Sequence, residues 1–278
     1  MQATTTMTAP RGQSDLARAR AIVRFNGLMF HSLATASFLE SAVTLHVEDL
    51  SAVLAAQQPE ARLWLEQVWL PQRLELGRRL REYTEATWPE LDWNGAYAEF
   101  HQPCRARAES GRTRSGVTLE VLAHCVAEAQ AAVFYRALAG AADEPSLRAL
   151  AREAASAHAA FFGHFRGIFE ASKRRERVSF AATWRMLLAA CRAAREFHVR
   201  TAFEALAQSW NGPRSVPELA YGEFVQRLVQ LVRRHAGLGR IEQFLFRPWL
   251  SPERPALAAL PSSPEQRARP SLMALQPA

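Results

Sequence analysis

The chain has 278 residues, 49% of them hydrophobic and 22% charged, a globular balance that suits one large domain or two small ones. Its formal net charge of +7 comes almost wholly from arginine, but Arg alternates with Glu in "RLELGRRLREY" and "CRAAREFHVR". That pattern describes solvated helix faces and excludes the one-sided basic surface of a nucleic-acid binder, leaving an anionic small molecule or an acidic partner as the classes the charge allows. Cys104, Cys125 and Cys191 lie far apart and are odd in number, so neither a disulfide framework nor a zinc site is expected, and a reducing cytoplasm is.

Ala, Leu, Arg and Glu dominate, while Val, Ile and Thr are sparse and no alternating strand pattern occurs, so the expected fold is all-α. Residues 1–14 read as a disordered polar tail, and "MQATTTMTAPRGQSD" lacks the apolar run of a signal peptide. Helical periodicity starts near Asp15, pauses at Asn26-Gly27 and continues to about residue 56. Pro59 marks a new start, and the second helix runs from about Glu60 to Thr84. A punctuated stretch with Pro89, Asn94-Gly95 and Pro103 follows, and a short helix over 94–101 is expected inside it. The third helix spans about Val117 to Gly140. The fourth spans Pro145 to Lys173, with Asp143 as its expected cap. Accessory helices follow over 179–235, expected at about Ser179–Trp210 and Val216–His235 and packed on the outside. The Pro-rich 251–278 reads as a disordered tail, so the helical domain occupies 15–250 with its core bundle at about 30–175. No stretch reaches the apolar length of a transmembrane segment. The richest run, "FAATWRMLLAAC", is interrupted by Arg185 and leaves a surface-lying membrane helix open. Two long hairpins joined by a long crossover make a four-helix bundle.

Each of the four expected inner stripes carries one charged or chargeable residue near its middle. They are Glu40 among Leu33, Ala36, Val43 and Val47; Arg73 among Trp69, Leu76 and Leu80; Glu128 among Val121, Cys125 and Tyr135; and His158 among Ala151, Ala154, Phe161 and Phe165. A lone buried charge costs several kcal/mol, roughly, so these four are expected to meet as one core charge network.

On these residues the chain resembles the ferritin-like di-iron carboxylate superfamily, with bacterial rubrerythrin-like proteins the nearest match and acyl-carrier-protein desaturases more distant. "RLELGRRLREY" is similar to the second helix of that group, and "CVAEAQAAVFYRALAGAADEPSLRALAREAASAHAAFFGHF" to its second half, so the likeness covers about residues 30–175. The resemblance implies a ferritin-like bundle with a crossover between helices two and three. It also implies a site of one Glu on helices one and three and Glu-x-x-His on helices two and four, which puts a carboxylate and a nitrogen on one helix face. This sequence contains no Glu-x-x-His. Matching Gly77, Leu80 and Tyr83 places Arg73 where Glu belongs and Leu76 where His belongs. Counting from Pro145 places His158 at the Glu position and Phe161 at the His position, while a shifted register makes His158 the family histidine and Ala155 the lost glutamate. Glu128 matches the third-helix Glu, and Glu40, or alternatively Glu48, the first-helix one.

Without bridging carboxylates two divalent cations repel each other, and Arg73 brings a permanent charge to their place. The expectation is therefore a degenerate di-iron site, no cofactor, and a non-catalytic binding, scaffold or partner protein, as a homodimer or beside a related subunit. Two alternatives stay open. One is an oxygen-dependent, iron- or manganese-dependent oxidoreductase whose vestigial ligands are Glu40, Glu128 and His158, with Glu66, two turns before Arg73, assisting; the other is a small-molecule carrier using the former bundle cavity. No catalytic residue is assigned, and His31, His46, His101, His124, His164, His198 and His235 receive no role, since none follows a Glu or Asp by three residues.

Overall fold

The computed structural model describes residues 20–55, 58–110, 116–210, 219–239 and 243. They are helical, with no strand among them beyond a single bridge between Leu91 and Trp210. The two terminal tails expected at 1–14 and 251–278 lie outside the described residues, as does the expected start of the last helix at Val216.

The first long helix is divided. α1 spans Gly27–Ser41, and Asn26 caps it by accepting from the Met29 N–H at 3.2 Å. The ladder resets at Ala42-Val43, where the Leu45 N–H turns back to the Ala42 carbonyl at 3.0 Å, and α2 continues over Thr44–Ala55. The second long helix is continuous in direction. α3 (Pro59–Trp64) passes through a π-helical stretch, Leu65–Trp69, into α4 (Leu70–Thr87). α5 (Trp93–Ser110) is longer than the expected 94–101 because Pro103 sits inside it without ending it. α6 (Val117–Ala141) and α7 (Pro145–Glu176) form the second hairpin. The α7 cap is Glu144 and not Asp143: directly before Pro145, its carboxylate accepts from the Ser146 and Leu147 N–H groups at 3.1 and 2.6 Å. At the far end of this hairpin Glu176 accepts from the Val117 and Thr118 N–H groups, both at 3.1 Å, placing a carboxylate at the positive end of α6.

α4 runs back along α1: Arg24 bonds the Thr87 carbonyl at 2.8 Å, whereas Ser51 bonds Glu66. α4 faces α7 through Arg79–Glu153 and Tyr83–Glu144, and α1 faces α6 through Glu40–Tyr135. α4 and α6 therefore descend in the same direction, so the connection between them must return along the length of the pairs. An 18-residue helix such as α5 covers about 27 Å, enough for that return. Gly77 lets α4 approach α1 closely; a Cβ there would meet the Ser41 amide nitrogen at 3.1 Å and the Glu40 Cβ at 3.2 Å.

α8 (Phe180–Ala193), a second π-helical stretch (Ala194–Val199), α9 (Arg200–Ser209) and α10 (Tyr221–His235) complete the described chain. They are less peripheral than expected. Phe203, Leu206, Phe224 and Val225 share one apolar cluster with Phe30, Leu33, Leu80, Trp88 and Leu138, because α9 and α10 close over α1. A second cluster holds Val47, Leu54, Leu65, Trp69, Val121, Cys125, Phe161 and Phe165. The three cysteines are free and buried. By length and composition, Gly27–Glu48 and Val117–Ala141 are apolar enough to cross a bilayer, although the sequence alone shows no uninterrupted run of that kind; 72% of the first window is buried within the molecule.

Candidate functional site: a closed charge network beside a cavity

Glu40, Arg73, Glu128 and His158 come together at the level where the two apolar clusters meet. Each sits between a residue of one cluster and a residue of the other: Ala36 and Val43, Leu76 and Trp69, Val133 and Cys125, Ala154 and Phe161. Arg73 Nε donates to Glu40 Oε2, and Arg73 Nη1 donates to Glu128 Oε1 at 2.7 Å. His158 lies between the same two carboxylates, Nδ1 at 2.5 Å from Glu128 Oε2 and Nε2 at 3.1 Å from Glu40 Oε1. Tyr135 Oη donates to Glu40 Oε1 at 2.8 Å, and Trp69 Nε1 donates to Glu128 Oε1 at 2.9 Å. All four carboxylate oxygens thus hold partners. The π-helical stretch ends at Trp69, one turn before Arg73, and both side chains reach Glu128.

The electrostatics close in the same way. Burial alone would raise the Glu40 carboxyl, but Arg73 and His158 outweigh it and hold the group at about 2. Glu128 is lowered for the same reasons, against the same cost of burial. Burial works against a charged His158, yet Glu40 and Glu128 more than offset it and raise the imidazole. With a carboxylate at each ring nitrogen, both nitrogens donate when the ring is protonated. Two carboxylates then face one guanidinium and one imidazolium, and the network is neutral as a whole. Arg73 is 12% exposed; the other three are buried.

The remaining sequence candidates fall elsewhere. Glu48 is exposed on α2 and takes no part. Glu66, itself within the π-helical stretch, bonds Ser51 and Arg62 (2.9 Å) and makes no bond to the network. Leu76 and Phe161 are buried in opposite apolar clusters, and Ala155 packs at the edge of the first.

The sequence left a cavity in the bundle open as an alternative but assigned no role to the histidines that line the one found beside the network. A cavity of about 450 Å³ is bordered by Glu40, Arg73 and Glu128 and walled mostly by apolar side chains of α1, α6 and α10, among them Leu39, Phe134, Leu228 and Val232. His46 from α2, His124 from α6 and His198 from the second π-helical stretch also line it. The His46 ring centroid is 6.3 Å from that of His124 and 6.1 Å from that of His198. Burial, followed by the neighbouring His46, pushes His124 and His198 down to about 4, so both imidazoles are neutral near pH 7. Ser32 and Thr35 line the cavity as well, and their buried hydroxyls have no hydrogen-bond partner among the described residues. The only available signal was weak: three histidines on separate helices, without the i, i+3 spacing that marks a shared face.

No family model matches the chain, and no curated protein or solved structure is significantly similar to it.

Proposed function

We propose that this chain is a ferritin-like four-helix bundle in which Arg73 occupies the place of metal, and that it is a non-catalytic binding protein for a small, mainly apolar, uncharged molecule. The order of helix directions supports the bundle: two antiparallel hairpins whose second and third long helices run parallel, joined by a connection that returns along their length. The residues do not suit the pair of iron or manganese ions that the resemblance implies. Each carboxylate oxygen already accepts from a protein donor, and a divalent ion would have to expel a guanidinium from both carboxylates at once.

The observation that carries the binding reading is the cavity of about 450 Å³ beside the network, within the size range of small-molecule sites. Its walls are mostly apolar, His124 and His198 are neutral and the adjoining network charges are mutually satisfied, a combination that disfavours an ionic guest. Ser32 and Thr35 offer hydroxyls for one polar group of the guest.

The test combines metal analysis with binding of a neutral lipophilic dye, N-phenyl-1-naphthylamine. Protein purified from medium rich in iron and manganese should carry far less than one metal per chain. It should bind the dye, and Ala131→Phe, which places a ring in the cavity, should abolish dye binding. Near-stoichiometric metal lost on Glu128→Ala would refute the Arg73-for-metal reading. Dye binding unaffected by Ala131→Phe would refute the cavity as the site.

A further inference from the structure

The run from Lys173 to Arg185 takes no part in the network or the cavity. It holds five basic residues and one carboxylate. That carboxylate, Glu176, accepts from the Val117 and Thr118 N–H groups at the start of α6. Lys173, Arg174 and Arg177 are exposed at the end of α7, and Arg177 adopts a left-handed conformation (φ 51°) that ends the helix and starts the turn into α8.

α8 then emerges with its apolar side chains divided. Leu187, Ala190 and Cys191 pack against Val126 and Ala129 of α6, anchoring the later turns. The first two turns project outward: Phe180 is 78% exposed and Trp184 42% exposed, their rings stacked with centroids 6.1 Å apart and 17° between planes. Ala181 is exposed next to Phe180, and Arg185 follows Trp184 on the surface. Exposed aromatics are costly in water unless something covers them.

We propose that the start of α8, with the basic end of α7, is a docking surface for an anionic lipid bilayer. Charge complementarity selects this occupant. Phe180 and Trp184 form an amphipathic wedge of the depth that the headgroup boundary accepts, and Trp is at home there. Lys173, Arg174 and Arg177 precede the wedge in the chain and Arg185 follows it, all four exposed, and basic side chains so close along the chain add attraction to acidic headgroups. A duplex would use the cations and leave the aromatic pair in water; a protein groove would need no such excess of basic residues.

The test uses the full chain and sedimentation with vesicles of phosphatidylcholine, alone or mixed with phosphatidylserine. Binding should require phosphatidylserine and weaken as salt is raised. The double variant Phe180→Ser/Trp184→Ser and, separately, Arg174→Gln/Arg177→Gln should each weaken it by about tenfold or more while far-UV circular dichroism shows the helices intact, since all four side chains are exposed. Failure to sediment, equal sedimentation with both vesicle types, or parental binding by both variants overturns the proposal. So does self-association of the parent chain that Phe180→Ser/Trp184→Ser abolishes, which would assign the face to a second copy.

Discussion

The charge network and the histidine-lined cavity share walls and helices, yet they solve the problem of buried polarity in opposite ways. In the network every charge meets an opposite one: Arg73 and His158 each contact both Glu40 and Glu128. In the cavity His124 and His198 remain neutral, and Ser32 and Thr35 keep unanswered hydroxyls. A saturated network has nothing left to offer a ligand and acts on the relative placement of four helices. An unsaturated apolar cavity contributes little to stability and keeps its hydrogen-bonding capacity for a guest.

The strongest way to break this contrast is Arg73→Leu. It leaves two buried carboxylates facing one imidazole, and loss of one partner from a buried ionic group costs about 3–5 kcal/mol. Urea unfolding at neutral pH should show a loss of that order, whereas Ala131→Phe in the cavity should change stability far less. An Arg73→Leu variant as stable as the parent would mean that the guanidinium does not hold the two carboxylates.

Acid separates the two regions by pH. A histidine whose folded value is depressed takes up its proton in the unfolded chain first, so stability falls as pH drops from 6.5 towards 4. His124 and His198 belong to that window. Glu40, held at about 2 against an ordinary 4.5, contributes about 3 kcal/mol above pH 4.5 that is lost as pH falls towards 2. His158 has the opposite sign: its raised value gives stability that is complete below 6.5 and fades as pH rises through the folded value. Urea midpoints measured against pH should therefore show His124→Phe reducing the loss between 6.5 and 4 while keeping the loss below 4.5. An unchanged upper limb in that variant would remove the cavity histidine from the account.

The difference in legibility between the two regions has a physical origin. A charged residue on an apolar helical stripe carries its own demand for a partner, so Glu40, Arg73, Glu128 and His158 were visible from periodicity alone. Helix ends at Pro59 and Pro145 were equally plain. The cavity depends on backbone irregularities that the residue pattern does not announce. The reset at Ala42-Val43 involves neither Gly nor Pro, and it precedes His46. The Ala194–Val199 stretch shifts the helical phase just where His198 occurs. Convergence of three histidines then requires three separate elements to be placed first. The deeper seat of α9 and α10 was hidden for a similar reason, since an amphipathic stripe shows that a helix buries one face without showing against what.

The smallest expected effect is the most discriminating. Tyr135→Phe keeps the ring that stacks on His158, with centroids 5.2 Å apart, and deletes only the O–H that Glu40 accepts at 2.8 Å. Glu40 Oε1 retains His158, so no carboxylate oxygen is stranded and the cost should be about 1–2 kcal/mol. The acid limb below pH 4.5 should shift upward, because that hydroxyl helps hold the Glu40 carboxyl down. Combined with Arg73→Leu, the change should fall well short of additive, since both side chains act on one carboxylate. Combined with His124→Phe, it should add within error, because Tyr135 bonds Glu40 while His124 packs on Trp69 and Phe165. Additivity in the first pair would show that the network is a set of independent contacts, and its contrast with the cavity would lose its basis.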